Sequence, residues 1–163
     1  MRTQDDLFPA DFDGLKQITP ADASLCTRLF IEVFSAPPWN YAWVTEEKSG
    51  RYINDLLNAP GSLSFFYFLR GKPVGICIGS VNDYFFAPQY KIEEFAVLPS
   101  RQRQGVGSLM LDAVEEALKK RGVSYVFLQT SSTIPAYDFY LKKDYSAIPE
   151  NVFLIKEIGR DSV

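Results

Sequence analysis

The stretch LPSRQRQGVGSLM, residues 98–110, places a proline, two arginines and two closely spaced glycines between an apolar run and a helical pattern. The run before it, residues 90–98, has the length and composition of a strand, and residues 105–121 repeat apolar side chains with the period of an α-helix. Residues 124–130 then have the composition of another strand. The chain is therefore predicted to contain a strand–turn–helix–strand unit, which is typical of an α/β domain.

Elements on both sides of this unit complete the α/β pattern. They are a strand at 14–18, helices at about 25–34 and 46–58, a hairpin of strands at 62–69 and 73–81, a short helix at 135–143 and two closing strands around Pro149. No repeat, low-complexity tract or linker divides them. Residues 1–163 are thus expected to form a single domain, with a core at roughly 15–158 and an N-terminal extension at 1–13.

The composition narrows the classes of function. The 163 residues are 47% hydrophobic and 15% aromatic, enough for a packed core, and their net charge of −3 argues against nucleic acid as a partner. No stretch approaches the ~18 apolar residues of a membrane span, and the acidic N-terminus has no signal-peptide core. Cys26 and Cys77 are far apart and lack metal-ligand spacing. We expect a cytoplasmic protein without a membrane or a metal as partner.

The chain contains no histidine. This excludes serine–histidine and cysteine–histidine nucleophiles, histidine zinc sites and any imidazole acid or base. An enzyme of this composition has to work with carboxylates, phenols, amines and main-chain groups.

The glycine turn has the features of an anion site. The N-terminus of a helix carries unpaired N–H groups and about half a positive charge. Gly105 and Gly107 have no Cβ, so a phosphate can approach the main chain, and both residues can adopt positive φ. Arg101 and Arg103 add cations. A dinucleotide fingerprint would need glycine in place of Met110, and a P-loop would need lysine after its last glycine, so neither nucleotide motif is present.

The turn resembles motif A of the GNAT superfamily, the acetyl-CoA-dependent N-acetyltransferases. The family pattern is Gln/Arg-x-x-Gly-x-Gly/Ala, and this chain has Gln102-Arg103-Gln104-Gly105-Val106-Gly107.

A second segment, PAYDFYLKKDY at residues 135–145, resembles motif B of the same family. The matching positions are Ala136, Phe139, Tyr140, Lys142 and Tyr145. Asp144 stands where glycine is usual, and Thr133 stands where asparagine is frequent, which removes one side-chain hydrogen bond that the family offers to its cofactor. A left-handed backbone at Asp144 would cost ~1 kcal/mol. With both motifs in order, the resemblance covers roughly residues 15–158.

The resemblance implies a fold and a cosubstrate. The fold is a central mixed, mostly antiparallel twisted sheet of about six to seven strands, with splayed fourth and fifth strands and about four flanking helices. Acetyl-CoA, with no metal, passes acetyl directly to an amine without an acyl-enzyme. The residues implied to hold the cosubstrate are Phe95, Ala96, Val97, Gln102, Arg103, Gln104, Gly105, Val106, Gly107, Ser108, Thr133 and Phe139.

The resemblance also implies a base and an acid. An alkylammonium has a pKa of ~10.4 and cannot attack while protonated. The family pattern of glutamate, a hydrophobic pair and valine matches Glu94-Phe95-Ala96-Val97, so Glu94 is the preferred base, acting through a water, with Glu93 in reserve. Adjacent strand residues face opposite sides, so only one of the two can face the amine unless a bulge intervenes. Tyr140, whose phenol has a pKa of ~10 against ~8.5 for a thiol, is the expected acid.

The expected acceptor is the primary amine of a small molecule or a peptide. Two aromatic segments, residues 37–43 and 83–90, are candidates to bind it, through Trp39, Tyr41, Trp43 and Tyr84. Alternatively, these rings cover the core or form a homodimer surface. For the function itself, the alternatives are a protein N-terminal acetyltransferase, a non-catalytic CoA-sensing module, and a scaffold whose glycine turn holds nothing.

Overall fold

The computed structural model describes residue 9 and residues 11–84 and 87–159. The chain divides into two compact units, one ending at Gln129 and the other beginning at Thr130. The expectation of a single domain over residues 1–163 stays a prediction. None of the described helices has the length and apolar character needed to cross a membrane.

The described residues of the first unit form five strands and three helices. They are β1 (Gly14–Ile18), α1 (Ala23–Phe34), α2 (Glu46–Asn58), β2 (Ser64–Leu69), β3 (Lys72–Tyr84), β4 (Ala87–Val97), α3 (Val106–Lys119) and β5 (Tyr125–Leu128), with short 3-10 turns at Pro20–Asp22 and Pro99–Arg101. The second unit contains α4 (Pro135–Leu141). The mixed α/β class and the four helices are confirmed.

The five strands form one sheet in the order β1-β2-β3-β4-β5. Neighbours pair antiparallel from β1 to β4, and only β4 and β5 pair parallel, which confirms a mixed, mostly antiparallel sheet. The strand count is lower than the expected six to seven, because residues 142–159 contain no strand. Their apolar side chains are exposed, for example Leu154 at 86% and Ile155 at 87%. A strand is stabilised by main-chain hydrogen bonds to a neighbouring strand, and this segment pairs with none.

Helices α1 and α2 pack on the sheet through one apolar cluster. The members are Ile18, Leu25, Cys26, Leu29, Phe30, Val33, Phe34, Ile53, Leu57, Phe66, Phe68, Ile76, Ile78 and Ala96. The N-terminus of α2 is fixed as the sequence predicts, since the Thr45 hydroxyl accepts a hydrogen bond from the Lys48 N–H at 3.3 Å. Ile53 and Leu57 are the members that α2 contributes.

A β-bulge interrupts β4 at Glu93. Ile78 pairs with Glu94 and Gly79 pairs with Ile92, so β4 carries one residue more than β3 between these two pairs. Gly79 has to lack a side chain there, because a Cβ would overlap the Lys91 carbonyl oxygen and the Tyr90 ring. Adjacent residues of a regular strand face opposite sides of the sheet, and the bulge releases Glu93 and Glu94 from this rule.

Two fully buried serines should respond oppositely to loss of the hydroxyl. The hydroxyl of Ser49, on α2, has no hydrogen-bond partner within the part of the chain that the structure describes. We expect Ser49→Ala to raise the free energy of unfolding by about 1 kcal/mol, because an unsatisfied hydroxyl leaves the core. Ser64→Ala should lower it by about the same amount, since the Ser64 hydroxyl accepts from the Gly79 N–H at 3.3 Å. Urea denaturation checks both, and changes of equal sign would contradict the assignment.

Candidate active site

The glycine turn joins β4 to α3 and is open to solvent. Gly105 caps α3 with φ 79°, and Arg103 is also left-handed at φ 61°. Gly107 instead lies inside the first turn of the helix. The positive φ values therefore fall at Arg103 and Gly105, and not at both Gly105 and Gly107 as the sequence suggested. A Cβ built on Gly105 meets no atom within 4 Å. The main chain at this helix N-terminus is therefore accessible.

Side chains of the turn hold its own backbone. The Gln102 amide donates to the Val97 carbonyl at 2.8 Å, and the Gln104 amide donates to the Ser100 carbonyl at 3.0 Å. Val106 is buried, whereas Ser108 is half-buried. The turn is thus shaped by local hydrogen bonds from its own side chains.

The main chain of β4 leaves its β5 neighbour part way along. The parallel pairing runs from Gln89 with Tyr125 to Ile92 with Leu128 and stops there. Phe95–Val97 lie beyond this register and pair with β3. The end of the parallel pairing agrees with the splayed fourth and fifth strands.

The environment of Glu94 shifts the pKa of its carboxyl group. The Tyr52 hydroxyl donates to its Oε1 at 2.6 Å. Burial raises the pKa of Glu94 to about 6, the Tyr52 hydrogen bond counteracts part of that rise, and the negative charge of Glu93 adds to it. Glu93 differs, because its Oε1 lies 2.9 Å from the Lys91 ammonium. The structure therefore gives the two glutamates different environments.

Tyr52 is the residue that the sequence reasoning missed. It lies on α2, 42 positions before the glutamate that it contacts. Burial and the neighbouring carboxylates raise the pKa of its phenol, so Tyr52 stays protonated and acts as a donor. The available signal was that Tyr52 is the only aromatic residue in an otherwise polar and aliphatic helix.

The aromatic residues of the α1–α2 connection lie together. Tyr41 is centred 5.8 Å from Trp39 and 5.7 Å from Trp43, and Phe34 packs against both Trp39 and Tyr41. Trp39 also packs against the core cluster, whereas Tyr41 and Trp43 are 39% and 44% exposed. Trp39 therefore belongs to the core, whereas Tyr41 and Trp43 are accessible to a ligand.

The remaining substrate candidate, Tyr84, ends β3, and its side chain lies outside the described part of the molecule. β3 and β4 are also longer than expected and take up most of the segment 83–90 as strand. Tyr90 from that segment is fully buried and donates its hydroxyl to the Leu63 carbonyl at 2.7 Å, so it is a core residue.

The second unit contains the remaining predicted residues. Tyr140 is buried, with its ring centred 5.1 Å from that of Phe139 and 5.3 Å from that of Tyr145. The exposed Thr133 shares a 2.8 Å hydrogen bond with the Ser131 hydroxyl. Asp144 has φ 63°, so the left-handed position that usually takes glycine is present here with aspartate.

Comparison with known proteins gives the same family for the chain. Its residues 27–145 match the family model described as acetyltransferase (GNAT) family. No protein with a curated description matches.

Three solved structures illustrate the shared fold. An aminoglycoside acetyltransferase from an uncultured soil metagenomic sample, in complex with sisomicin, is 24% identical with a TM-score of 0.69 and coverage of 91% of this chain and 97% of that one. A possible acetyltransferase from Clostridium difficile 630 is 12% identical, with a TM-score of 0.75 and coverage of 91% and 100%. A ribosomal-protein-alanine N-acetyltransferase from Brucella melitensis biovar Abortus 2308 is 13% identical, with a TM-score of 0.68 and coverage of 90% and 100%. Because the family model spans most of the chain, this protein belongs to the GNAT family and is an acetyl-CoA-dependent acetyltransferase.

Proposed function

We propose that the protein transfers acetyl from acetyl-CoA to the primary amine of a small molecule or peptide, with Glu94 accepting the proton that the amine loses. The observation that supports this is the pairing of Glu94 with Tyr52 at 2.6 Å in a partly buried position. A general base works best when its pKa lies near the operating pH, and that of Glu94 is raised to about 6. At neutral pH the carboxylate is ionised and can take the proton directly or through a water.

The residues present fit the cosubstrate. Acetyl-CoA supplies the acetyl group as a thioester. The open main chain at Gly105 and the N-terminus of α3 suit its phosphates, and residues 102–108 are proposed to hold them. The stretch Phe95–Val97, which lies beyond the printed pairing of β4 with β5, is proposed to bind the pantetheine arm as an added strand would bind, and Thr133 and Phe139 are proposed as further contacts.

Two further groups complete the proposed chemistry. A main-chain N–H among Phe95–Val97 polarises the reacting carbonyl, a role that typically supplies ~3 kcal/mol of transition-state stabilisation. The hydroxyl of Tyr140 is proposed to donate to the leaving sulfur, because a phenolic O–H is a hydrogen-bond donor. Both assignments come from the motif resemblance.

A thiol-release assay tests the proposed function. Acetyl-CoA is mixed with the protein and a panel of aminoglycosides, polyamines and short peptides, and release has to depend on the amine. Release with peptides alone would make the protein an N-terminal acetyltransferase. Binding of acetyl-CoA without release for any amine would contradict the proposal and favour a CoA-sensing module.

Tyr52→Phe should move the acid limb of the kcat/KM profile to higher pH. The wild-type rate should fall as pH drops through about 6, where Glu94 gains a proton. The hydrogen bond from Tyr52 favours the ionised carboxylate, so its removal raises the pKa of Glu94. The variant should therefore lose more activity at pH 6 than at pH 8. Tyr125→Phe, at an exposed tyrosine, is the matched control, and an unmoved acid limb in Tyr52→Phe would contradict the role.

A further inference from the structure

The bulge in β4 decides which face of the sheet carries Glu94. Ile92, before the bulge, pairs with Gly79, and Glu94, after the bulge, pairs with Ile78. Gly79 and Ile78 are neighbours in β3 and therefore face opposite sides of the sheet. Ile92 and Glu94 consequently face opposite sides as well, and Glu94 lies on the side where Tyr52 donates to it. A group that holds the bulge thus also holds Glu94 beside Tyr52.

The side chain of Tyr90 reaches across the bulge on the other face of the sheet. Tyr90 pairs with Val81, before the bulge. Its hydroxyl lies 3.7 Å from the Sγ of Cys77, and Cys77 pairs with Phe95, beyond the bulge. Between these two positions the Tyr90 ring covers Gly79, in the space that a Cβ would need. One fully buried side chain therefore spans the two regular parts of β4.

The far end of the Tyr90 side chain is anchored beside β2. The Tyr90 hydroxyl donates to the Leu63 carbonyl at 2.7 Å. The Leu63 N–H donates to the Gly79 carbonyl at 2.8 Å, and the Gly79 N–H donates to the Ser64 hydroxyl at 3.3 Å. The ring cannot move away from Gly79 without breaking its hydrogen bond to Leu63, which is costly in a buried position. The residue of β3 at the bulge is thereby held between Tyr90 and residues 63–64.

We propose that Tyr90 is a positioning residue for the acetyl transfer, whose side chain, anchored on Leu63, keeps β4 bulged so that Glu94 faces Tyr52. This rests on the proposed function, in which Glu94 is the base. Tyr90 is fully buried, so it acts through the main chain of β4 and not on a substrate. Without its hydroxyl, β4 should spend less time in the bulged pairing, and Glu94 should spend less time in contact with Tyr52.

Tyr90→Phe tests the inference, because it removes the hydroxyl and keeps the ring. The first measurement is an NMR titration of carboxyl-labelled glutamate, in which the Glu94 signal is assigned by its loss in Glu94→Gln. In the wild-type background, Tyr52→Phe should move the Glu94 titration to higher pH. In the Tyr90→Phe background it should move the titration by about half as much or less, because two substitutions that act on one contact are not additive.

The second measurement is kcat/KM at pH 7.5 in the thiol-release assay. Tyr90→Phe should lower it by about three- to tenfold, the change in an equilibrium that one lost hydrogen bond causes. Tyr67→Phe is the matched control, at a buried tyrosine of β2 that pairs with Gly75, away from the bulge. It should change neither kcat/KM nor the effect of Tyr52→Phe on the Glu94 titration.

Two results would overturn the inference. The first is an equal effect of Tyr52→Phe on the Glu94 titration with and without the Tyr90 hydroxyl. The second is a loss of activity in Tyr67→Phe as large as that in Tyr90→Phe, which would mean that any lost buried hydroxyl has this effect. Absence of thiol release by the wild type with every amine would instead contradict the proposed function. The NMR titration would then still decide whether Tyr90 positions Glu94, so the two failures can be told apart.

Discussion

Glu94→Gln is expected to lower kcat/KM by about 10²–10⁴-fold, the range that a general base contributes. Glutamine has the same shape and still accepts a hydrogen bond from Tyr52, so the site keeps its geometry while losing the group that takes the proton. Binding of acetyl-CoA, measured by calorimetry, should stay unchanged. Steady-state kinetics at pH 7.5 give the result.

The matched control is Glu93→Gln, because Glu93 is adjacent and already paired with Lys91. We expect it to retain most of the wild-type rate. If Glu93→Gln lost the activity and Glu94→Gln kept it, Glu93 rather than Glu94 would be the base.

Glu94→Gln should also stabilise the fold at neutral pH. The folded pKa of about 6 exceeds the ordinary value of 4.5, so the folded form holds a proton that the unfolded form has lost between these values, and stability falls as pH rises through that window. This difference in pKa lowers the free energy of unfolding by about 2 kcal/mol above pH 6. Thermal melts should show a gain for the variant at pH 7.5 that disappears near pH 4.5.

Gly107→Glu is expected to weaken binding of acetyl-CoA by at least about 100-fold. A carboxylate about 5 Å from a phosphate charge costs roughly 3 kcal/mol at an effective dielectric of ~20, and coenzyme A carries several such charges. The fold should persist, because Gly107 lies in the first turn of α3, where glutamate is a better helix former than glycine and interacts well with the helix dipole. Calorimetric titration measures the affinity.

Gly107→Gln separates charge from size. The neutral side chain has nearly the same volume, so it should bind acetyl-CoA more tightly than the glutamate variant. Equal affinities would show that the added bulk rather than the charge disturbs the turn. If Gly107→Glu bound acetyl-CoA with the wild-type affinity, the glycine turn would not be the site that binds the phosphates.

Local patterns were enough to predict the elements that frame the site. The cap at Thr45, the amphipathic period of α3 and the glycine turn each depend on residues within a few positions of one another. The closing strands around Pro149 were wrong, because an apolar run forms a strand only if a sheet edge accepts it, and this is not a local property.

The candidate site was predictable in its motif residues and not in its long-range contacts. Glu94 could be selected over Glu93 only through a family pattern, whereas their different environments come from Tyr52 on α2 and Lys91 on β4. The Tyr52 contact joins residues 42 positions apart, and no periodicity in the sequence encodes it. The left-handed Arg103 was equally hidden, since arginine has no preference for that conformation.

The extra residue in β4 limits how this chain can change over evolutionary time. Because the side-chain period of a strand is two, Ile92 and Glu94 would face the same side of a regular strand, and the extra residue is what turns them to opposite sides. A change that removes the bulge and keeps Glu93, such as a residue inserted into β3 opposite it, would turn Glu94 away from Tyr52 or turn Tyr90 and Ile92 out of the interior. Insertions in descendant genes should therefore be tolerated in the connections around β4 and be purged from β3 opposite the bulge.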